Sequence, residues 1–307
     1  MNAFLQRLQL LLRLLLSLWL LQALWPRSPG LAVLAAALLF WSYGLVMALC
    51  FARLAGLDPG PGLTRPRWPE LLRAWWRELW ICERIFAYRQ PFAEHREPDH
   101  LPQGGAARGV LLLHGFSCNR GLWNVWMRRL RGRGHACVAL SLEPAFGSID
   151  AYAPQIEAAI RRLEQCTGTA PVIVAHSMGG LAVRAWWRAH GQAGRELRVH
   201  RIITLGSPHA GTLTAALSPV ANARQMRRRS AWLCELSAAE SLDWRQRFTC
   251  FFSRCDQVVC PAATALLPGA QPREIEGAGH LALVEQESVF AELLLQLAAP
   301  APQEKSP

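Results

Sequence analysis

Lysine is almost missing from this chain. Lys305 is the single lysine among 33 Lys and Arg residues, so the basic charge is carried by arginine. Acidic residues are also few, 22 in 307, which leaves a formal net charge of +11. No C-x-x-C pair occurs, which removes a thioredoxin-like redox motif and the common zinc frameworks. Cys250, Cys255 and Cys260 lie close together but lack a neighbouring histidine and zinc-like spacing. No metal and no other cofactor is expected. The cysteines number nine, an odd count, and read as small, mostly buried, reduced thiols of a reducing compartment. No nucleic-acid motif is present, and the arginines are scattered rather than interleaved with aromatics in one stripe. Nucleic acid is therefore excluded as a partner. An anionic membrane surface and a plainly solvated arginine bias remain as readings of the charge.

What is abundant is apolar residues. They make up 51% of the chain, mean hydropathy is +0.11, and the excess sits at the N-terminus. No charge occurs from 31 to 52. At about 1.5 Å per residue that run crosses a hydrocarbon core of about 30 Å. The preceding segment, 4–25, carries a polar stripe of Gln6, Gln9, Arg13 and Ser17 at helical spacing. It either spans, with the stripe facing the second helix or Arg13 snorkelling, or lies in the interface as an amphipathic helix; the leucine-rich stretch 14–25 favours spanning. A cleaved signal peptide does not fit, because 25–30 (Trp-Pro-Arg-Ser-Pro-Gly) is no A-x-A site and a second span follows at once. That stretch is the hairpin between two spans. Arg27 is its one cation, against Arg7 on one flank and Arg53, Arg65 and Arg67 on the other. The positive-inside bias then places both ends in the cytoplasm, and points to a bacterial inner membrane with the domain on its cytoplasmic side.

The anchor thus covers 1–57. A linker and helix follow over 58–107. Pro- and Gly-rich breakers mark the linker, and Leu71, Leu72, Trp75, Trp76, Leu79, Ile85 and Phe86 give the helix over 70–88 an apolar side, opposite Arg73, Arg77, Glu78 and Arg84. Two placements of this helix stay open, at the membrane interface and on the domain's own surface. Residues 89–107 read as loop or weak edge strand, and 299–307 as a disordered tail.

Over 108–298 the pattern alternates. Strands are expected at 109–113, 135–142, 172–174, 199–205, 248–252 and 272–276. Helices are expected at 122–130, 150–166, after the third strand, and at 281–297. Alternation of this kind gives a mostly parallel sheet with helices on both faces. Its stretch 171–181 reads Pro-Val-Ile-Val-Ala-His-Ser-Met-Gly-Gly-Leu. A buried strand turning abruptly into a helix at a serine is a nucleophile elbow. The turn needs small residues two before and two after the serine. Ala175 and Gly179 supply them, although the usual first residue is glycine. His114-Gly115, Ser177, Asp256 and His280 all fall just after strand ends, where sites of such folds lie.

On these motifs, with 205–212 (Leu-Gly-Ser-Pro-His-Ala-Gly-Thr) and 277–281 (Gly-Ala-Gly-His-Leu), the chain resembles the α/β-hydrolase fold family in its lipase and esterase branch. The Gly-Ser-Pro-His-x-Gly-Thr stretch looks like bacterial lipases and the deacylases that remodel GPI-anchored lipids. The order Ser177, Asp256, His280 is that family's order of nucleophile, acid and base. Asp243 and Glu276 are competing acids. The resemblance assigns the oxyanion donors to the backbone of Phe116 and Met178, with His114, Gly115 and Gly179 in support. It makes His176 and His209 structural. The stretch 213–247 interrupts the alternation and reads as a cap. Met226, Trp232, Leu233, Leu236 and Leu242 form its apolar side and Arg224, Arg227, Arg228 and Arg229 a basic run, either a lipid-facing lid or a solvated helix face. The expected activity is hydrolysis of carboxylic esters of lipid-like substrates beside a bilayer. A thioesterase or amidase on the same residues, and a membrane-tethered interaction protein without catalysis, are the alternatives.

Overall fold

The computed structural model describes residues 2–102, 107–191 and 198–299. The tail expected at 299–307 lies outside the described residues from 300 onward, as do Gly104 and Gly105. Six strands form the centre: β1 (Val110–Leu113), β2 (Cys137–Leu140), β3 (Val172–His176), β4 (Arg201–Leu205), β5 (Phe248–Phe252) and β6 (Gln271–Glu274). Their order is β2-β1-β3-β4-β5-β6 and every pair is parallel. Each residue of β1 and β3 is buried, as continuous apolar strands between two helical layers must be. One layer holds the helices Ala153–Thr167 and Met178–His190, whose Ile156, Ile160 and Leu181 pack with Leu111, Leu113 and Ile173. The other holds Asn124–Arg131 and Glu287–Ala298, packed through Met127, Leu130 and Phe290 on Leu112 and Val174. The helix expected over 281–297 is divided: a 3-10 turn, Leu281–Glu285, precedes it and Gln286 between them is extended.

Four helices precede the sheet: α1 (Asn2–Leu24), α2 (Pro29–Phe40), α3 (Ser42–Gly56) and α4 (Trp68–Cys82). By length and composition α1 is able to cross a membrane, and α2 with α3 only as a pair bent by 61°. The uninterrupted span expected over 31–52 is thus broken at Trp41. The bend lays α3 on α4, where the Trp75 indole N–H donates to the Gly44 carbonyl at 3.1 Å and Phe51 and Leu54 pack with Leu71 and Ala74. A broken helix end leaves carbonyls without partners. Arg13 of α1 supplies one, its Nε–H donating to the Phe40 carbonyl at 3.0 Å while its guanidinium stacks on Phe40 and Tyr43. Of the polar stripe of α1, Gln6 and Ser17 are buried, Arg13 is half-buried and Gln9 is exposed, while Leu8, Leu11, Leu12 and Leu15 face outward.

The helix expected over 70–88 begins as α4 and continues as a π-helical segment, Glu83–Arg89. Leu71, Ala74, Ile81 and Ile85 are buried on the domain, while Trp68, Trp76 and Trp80 are exposed. Between β4 and β5 lie four short helical pieces, Thr214–Leu217, Ala221–Gln225, Ala231–Ala238 and Leu242–Arg245. Here the expected lipid-facing side is reversed: Met226, Leu233 and Leu236 pack into the core, because the sheet face beneath them needs cover. Leu242 and the arginines 224, 227, 228 and 229 are exposed. The segment is stapled down by a fully buried ion pair, Arg184 Nε to Glu240 Oε1 at 2.6 Å. Removing one partner strands a charge in the core, so Glu240→Ala is expected to cost about 3–5 kcal/mol in denaturant unfolding, and Arg184→Met with Glu240→Leu to recover most of it.

Candidate active site

Ser177 follows the last residue of β3 at φ 55°, ψ −126°, and the helix Met178–His190 starts immediately after it. A non-glycine residue at positive φ is strained, and here the strain sets the serine at the tip of the turn between strand and helix. Gly179 is required: a Cβ there would lie 2.8 Å from the His114 carbonyl oxygen and 2.9 Å from that of Leu113. Ala175 sits inside β3, paired with Leu113 and Thr204, where its methyl is fully buried. Gly115 comes equally close, since a Cβ there would stand 2.6 Å from that of Ser177.

The sheet brings Asp256 and His280 together from the loops after β5 and β6. His280 Nδ1–H donates to Asp256 Oδ2 at 2.8 Å. Asp256 Oδ1 accepts the N–H groups of Val258 at 2.9 Å and Val259 at 2.8 Å, which fixes the carboxylate. Asp243 and Glu276, the competing acids, are exposed. Ser177, His280, Gly115 and Phe116 open onto one cavity of about 500 Å³.

The loop after β1 is held by several hydrogen bonds. His114 Nε2 accepts from the Leu142 N–H at 2.8 Å, so its proton is on Nδ1, which donates to the Gly115 carbonyl at 2.8 Å. The Cys118 N–H reaches the same carbonyl at 3.3 Å. In a trans peptide the N–H points opposite the carbonyl, so these bonds also aim the Phe116 N–H. Met178, first in its helix, has an N–H with no intrahelical acceptor, at the positive end of the helix dipole. Burial favours the neutral imidazole in three neighbouring histidines. Burial pushes His114 down to about 4. Burial, with the neighbouring His280, holds His176 well below the ordinary range. Burial, with Arg184, does the same for His209, whose Nε2 sits 3.1 Å from Thr204 Oγ1.

A family model described as "Alpha/beta hydrolase family" matches residues 110–264, just over half of the 307-residue chain. The chain belongs to the alpha/beta hydrolase family. No curated protein matches it. Among solved structures, the mature form of Bacillus licheniformis lipase BlEst2 is similar with a TM-score of 0.54 and 16% identity, over 66% of this chain and 96% of that one. Aspergillus fumigatus lipase B is similar with a TM-score of 0.55 and 16% identity, over 67% of this chain and 57% of that one. At such identities the likeness is one of fold. The part that matches the alpha/beta hydrolase family contains Ser177 and Asp256 and ends before His280; α1 to α4 lie outside it.

One residue outside it was missed by the sequence reading. Glu78, placed there on the polar side of its helix, is wholly buried. Its Oε1 accepts from the Leu281 N–H at 2.7 Å and from Gln257 Nε2 at 3.1 Å, and its Oε2 from the Ala282 N–H at 3.0 Å. Gln257 Oε1 in turn accepts the His280 N–H at 3.1 Å. Burial pushes the Glu78 carboxyl up, yet three donors point at its two oxygens, an arrangement that suits an acceptor-only carboxylate. In the sequence Glu78 is one of two glutamates, with Glu70, on a helix that also carries Arg73 and Arg77. Burial disfavours the charged form of His280, but the Asp256 carboxylate and its hydrogen bond outweigh burial, and Glu78 adds to them. In an NMR titration His280 is therefore expected above the ordinary value of about 6.5. Asp256→Asn and Glu78→Gln, each removing a negative charge, are expected to lower it; an unchanged midpoint in both would contradict this electrostatic account.

Proposed function

We propose that the protein is a membrane-associated serine hydrolase that cleaves carboxylic ester bonds of lipid-like substrates. The observation that carries the reading is the 2.8 Å Asp256–His280 hydrogen bond, made at the carboxyl edge of the sheet beside a cavity shared with a serine at positive φ. In this reading Ser177 Oγ attacks the ester carbonyl carbon while His280 Nε2 takes its proton. Asp256 keeps the imidazole in the right tautomer and balances its charge. The N–H groups of Phe116 and Met178 receive the oxyanion, an effect worth about 3–4 kcal/mol per donor. Collapse expels the alcohol, which leaves with the proton from His280. Water, deprotonated by the same His280, then attacks the acyl-Ser177 and releases the acid.

Two features support lipid as the substrate class. The similar structures are lipases by name, and α1 presents Leu8, Leu11, Leu12 and Leu15 to the exterior. The arginine distribution favours a domain on the cytoplasmic face of a bacterial inner membrane. Thioester and amide hydrolysis use the same residues, and substrate turnover separates them. The full chain in mixed micelles is expected to react with a fluorophosphonate at Ser177 and to hydrolyse tributyrin or phospholipid. Ser177→Ala should abolish both, with turnover falling about 10⁴-fold or more. A folded protein that is not labelled at Ser177 would point to the non-catalytic interaction protein. Labelling with turnover of thioesters or amides alone would exclude the lipase reading.

A further inference from the structure

The cavity in front of Ser177 is only partly built by the sheet domain. Gly115, Phe116 and His280 line it beside the serine, whereas Gln6 and Leu10 of α1 and Val46 and Met47 of α3 line it from the N-terminal helices. These helices are tied to the site by hydrogen bonds. Asn2 Nδ2–H donates to the Cys118 carbonyl at 2.5 Å and Gln6 Nε2–H to the Ser117 carbonyl at 2.9 Å, so α1 is fixed to the loop that carries the Phe116 N–H. Gln6 is buried and its Oε1 is an acceptor without a partner. That oxygen marks a polar position near the serine that the protein itself leaves unfilled. Arg13, Tyr43 and Glu83 also reach the cavity. They satisfy one another there: the Tyr43 hydroxyl donates to Glu83, and Arg13 is spent on the Phe40 carbonyl and two rings.

The opposite side of α1 is apolar and exposed through Leu8, Leu11 and Leu15, and α3 exposes Leu45, Val46 and Leu49 beside the cavity. One layer of helix thus separates the cavity from a surface suited to lipid. An acyl chain that passes between α1 and α3 reaches Ser177 without exposing its methylenes to water. A cavity of about 500 Å³ is within the size range of pockets that bury a small ligand or a single chain.

We propose that α1 and α3 are the acyl-binding half of the active site, receiving one long acyl chain of a membrane lipid ester directly from the bilayer. This assignment rests on the ester hydrolysis proposed above, and the test separates the two. The full chain in mixed micelles is assayed with p-nitrophenyl butyrate and p-nitrophenyl palmitate. Leu10→Trp and Met47→Trp fill the chamber from different helices, and Leu14→Trp, on an exposed position of α1, is the control. The ratio of kcat/KM for the long ester to that for the short one is expected to fall at least about tenfold in both chamber variants, the loss of burial for about two methylenes. The control is expected to keep the wild-type ratio. An unchanged ratio in either chamber variant that still turns over the short ester overturns the assignment, as does an equal fall in the control. A wild-type protein that hydrolyses neither ester removes the ester-hydrolase reading itself, and this assignment with it.

Discussion

A polar side chain on an apolar helix has to find its hydrogen-bond partners inside the protein, because lipid offers none. In this chain three such side chains find their partners on loops that line the cavity at Ser177. Asn2 and Gln6 of α1 end on carbonyls of the loop after β1, and Glu78 of α4 ends on the backbone that follows His280. Each bond is modest, and leaving such a group buried and unpaired would cost about 1–3 kcal/mol. Their joint effect is that the N-terminal helices and the loops at the carboxyl edge of the sheet hold one another in place. The N-terminal helices are then part of the architecture of the cavity rather than an appendage joined to the sheet domain.

Burial sets the chemistry of the histidines, and charge decides between them. His114, His176, His209 and His280 are all almost fully buried, which favours the neutral imidazole in each. Only His280 has a carboxylate at 2.8 Å, and only His280 is shifted toward the charged form. His176, whose ring centroid lies 4.5 Å from that of His280, is pushed the other way. A proton arriving at this cluster therefore rests on the one histidine that shares the cavity with Ser177 and is hydrogen-bonded to Asp256.

Local patterns made much of this legible in the sequence. The β-branched run at 172–174 and the alternation of strands with helices point to a parallel sheet, which is how the chain folds, and the residues singled out after its strands, Asp256 and His280, come into hydrogen-bond contact. What depends on distant partners was not legible. Glu78 looks like one more charge on an arginine-rich helix face, because the N–H groups that bury it lie 203 and 204 residues away. The stripe of Gln6, Gln9, Arg13 and Ser17 is plain at helical spacing, but not what it faces. The break at Trp41 is hidden by an uncharged run, since it follows from how α3 must lean to meet α4 through Gly44 and Trp75. The cap between β4 and β5 shows an apolar side in the sequence, and only the sheet beneath it decides that the side turns inward.

The central claim is that Ser177 acts on an acyl chain lodged against the N-terminal helices. The most direct test is a long-chain alkyl phosphonate ester with a photoreactive diazirine at the chain terminus, reacted with the full chain in a bilayer and mapped by mass spectrometry after illumination. The account predicts the phosphonate on Ser177 and the cross-link within 6–13 of α1 or 46–50 of α3. A phosphonate on Ser177 with cross-links confined to 221–247, or no adduct on Ser177 at all, would contradict it.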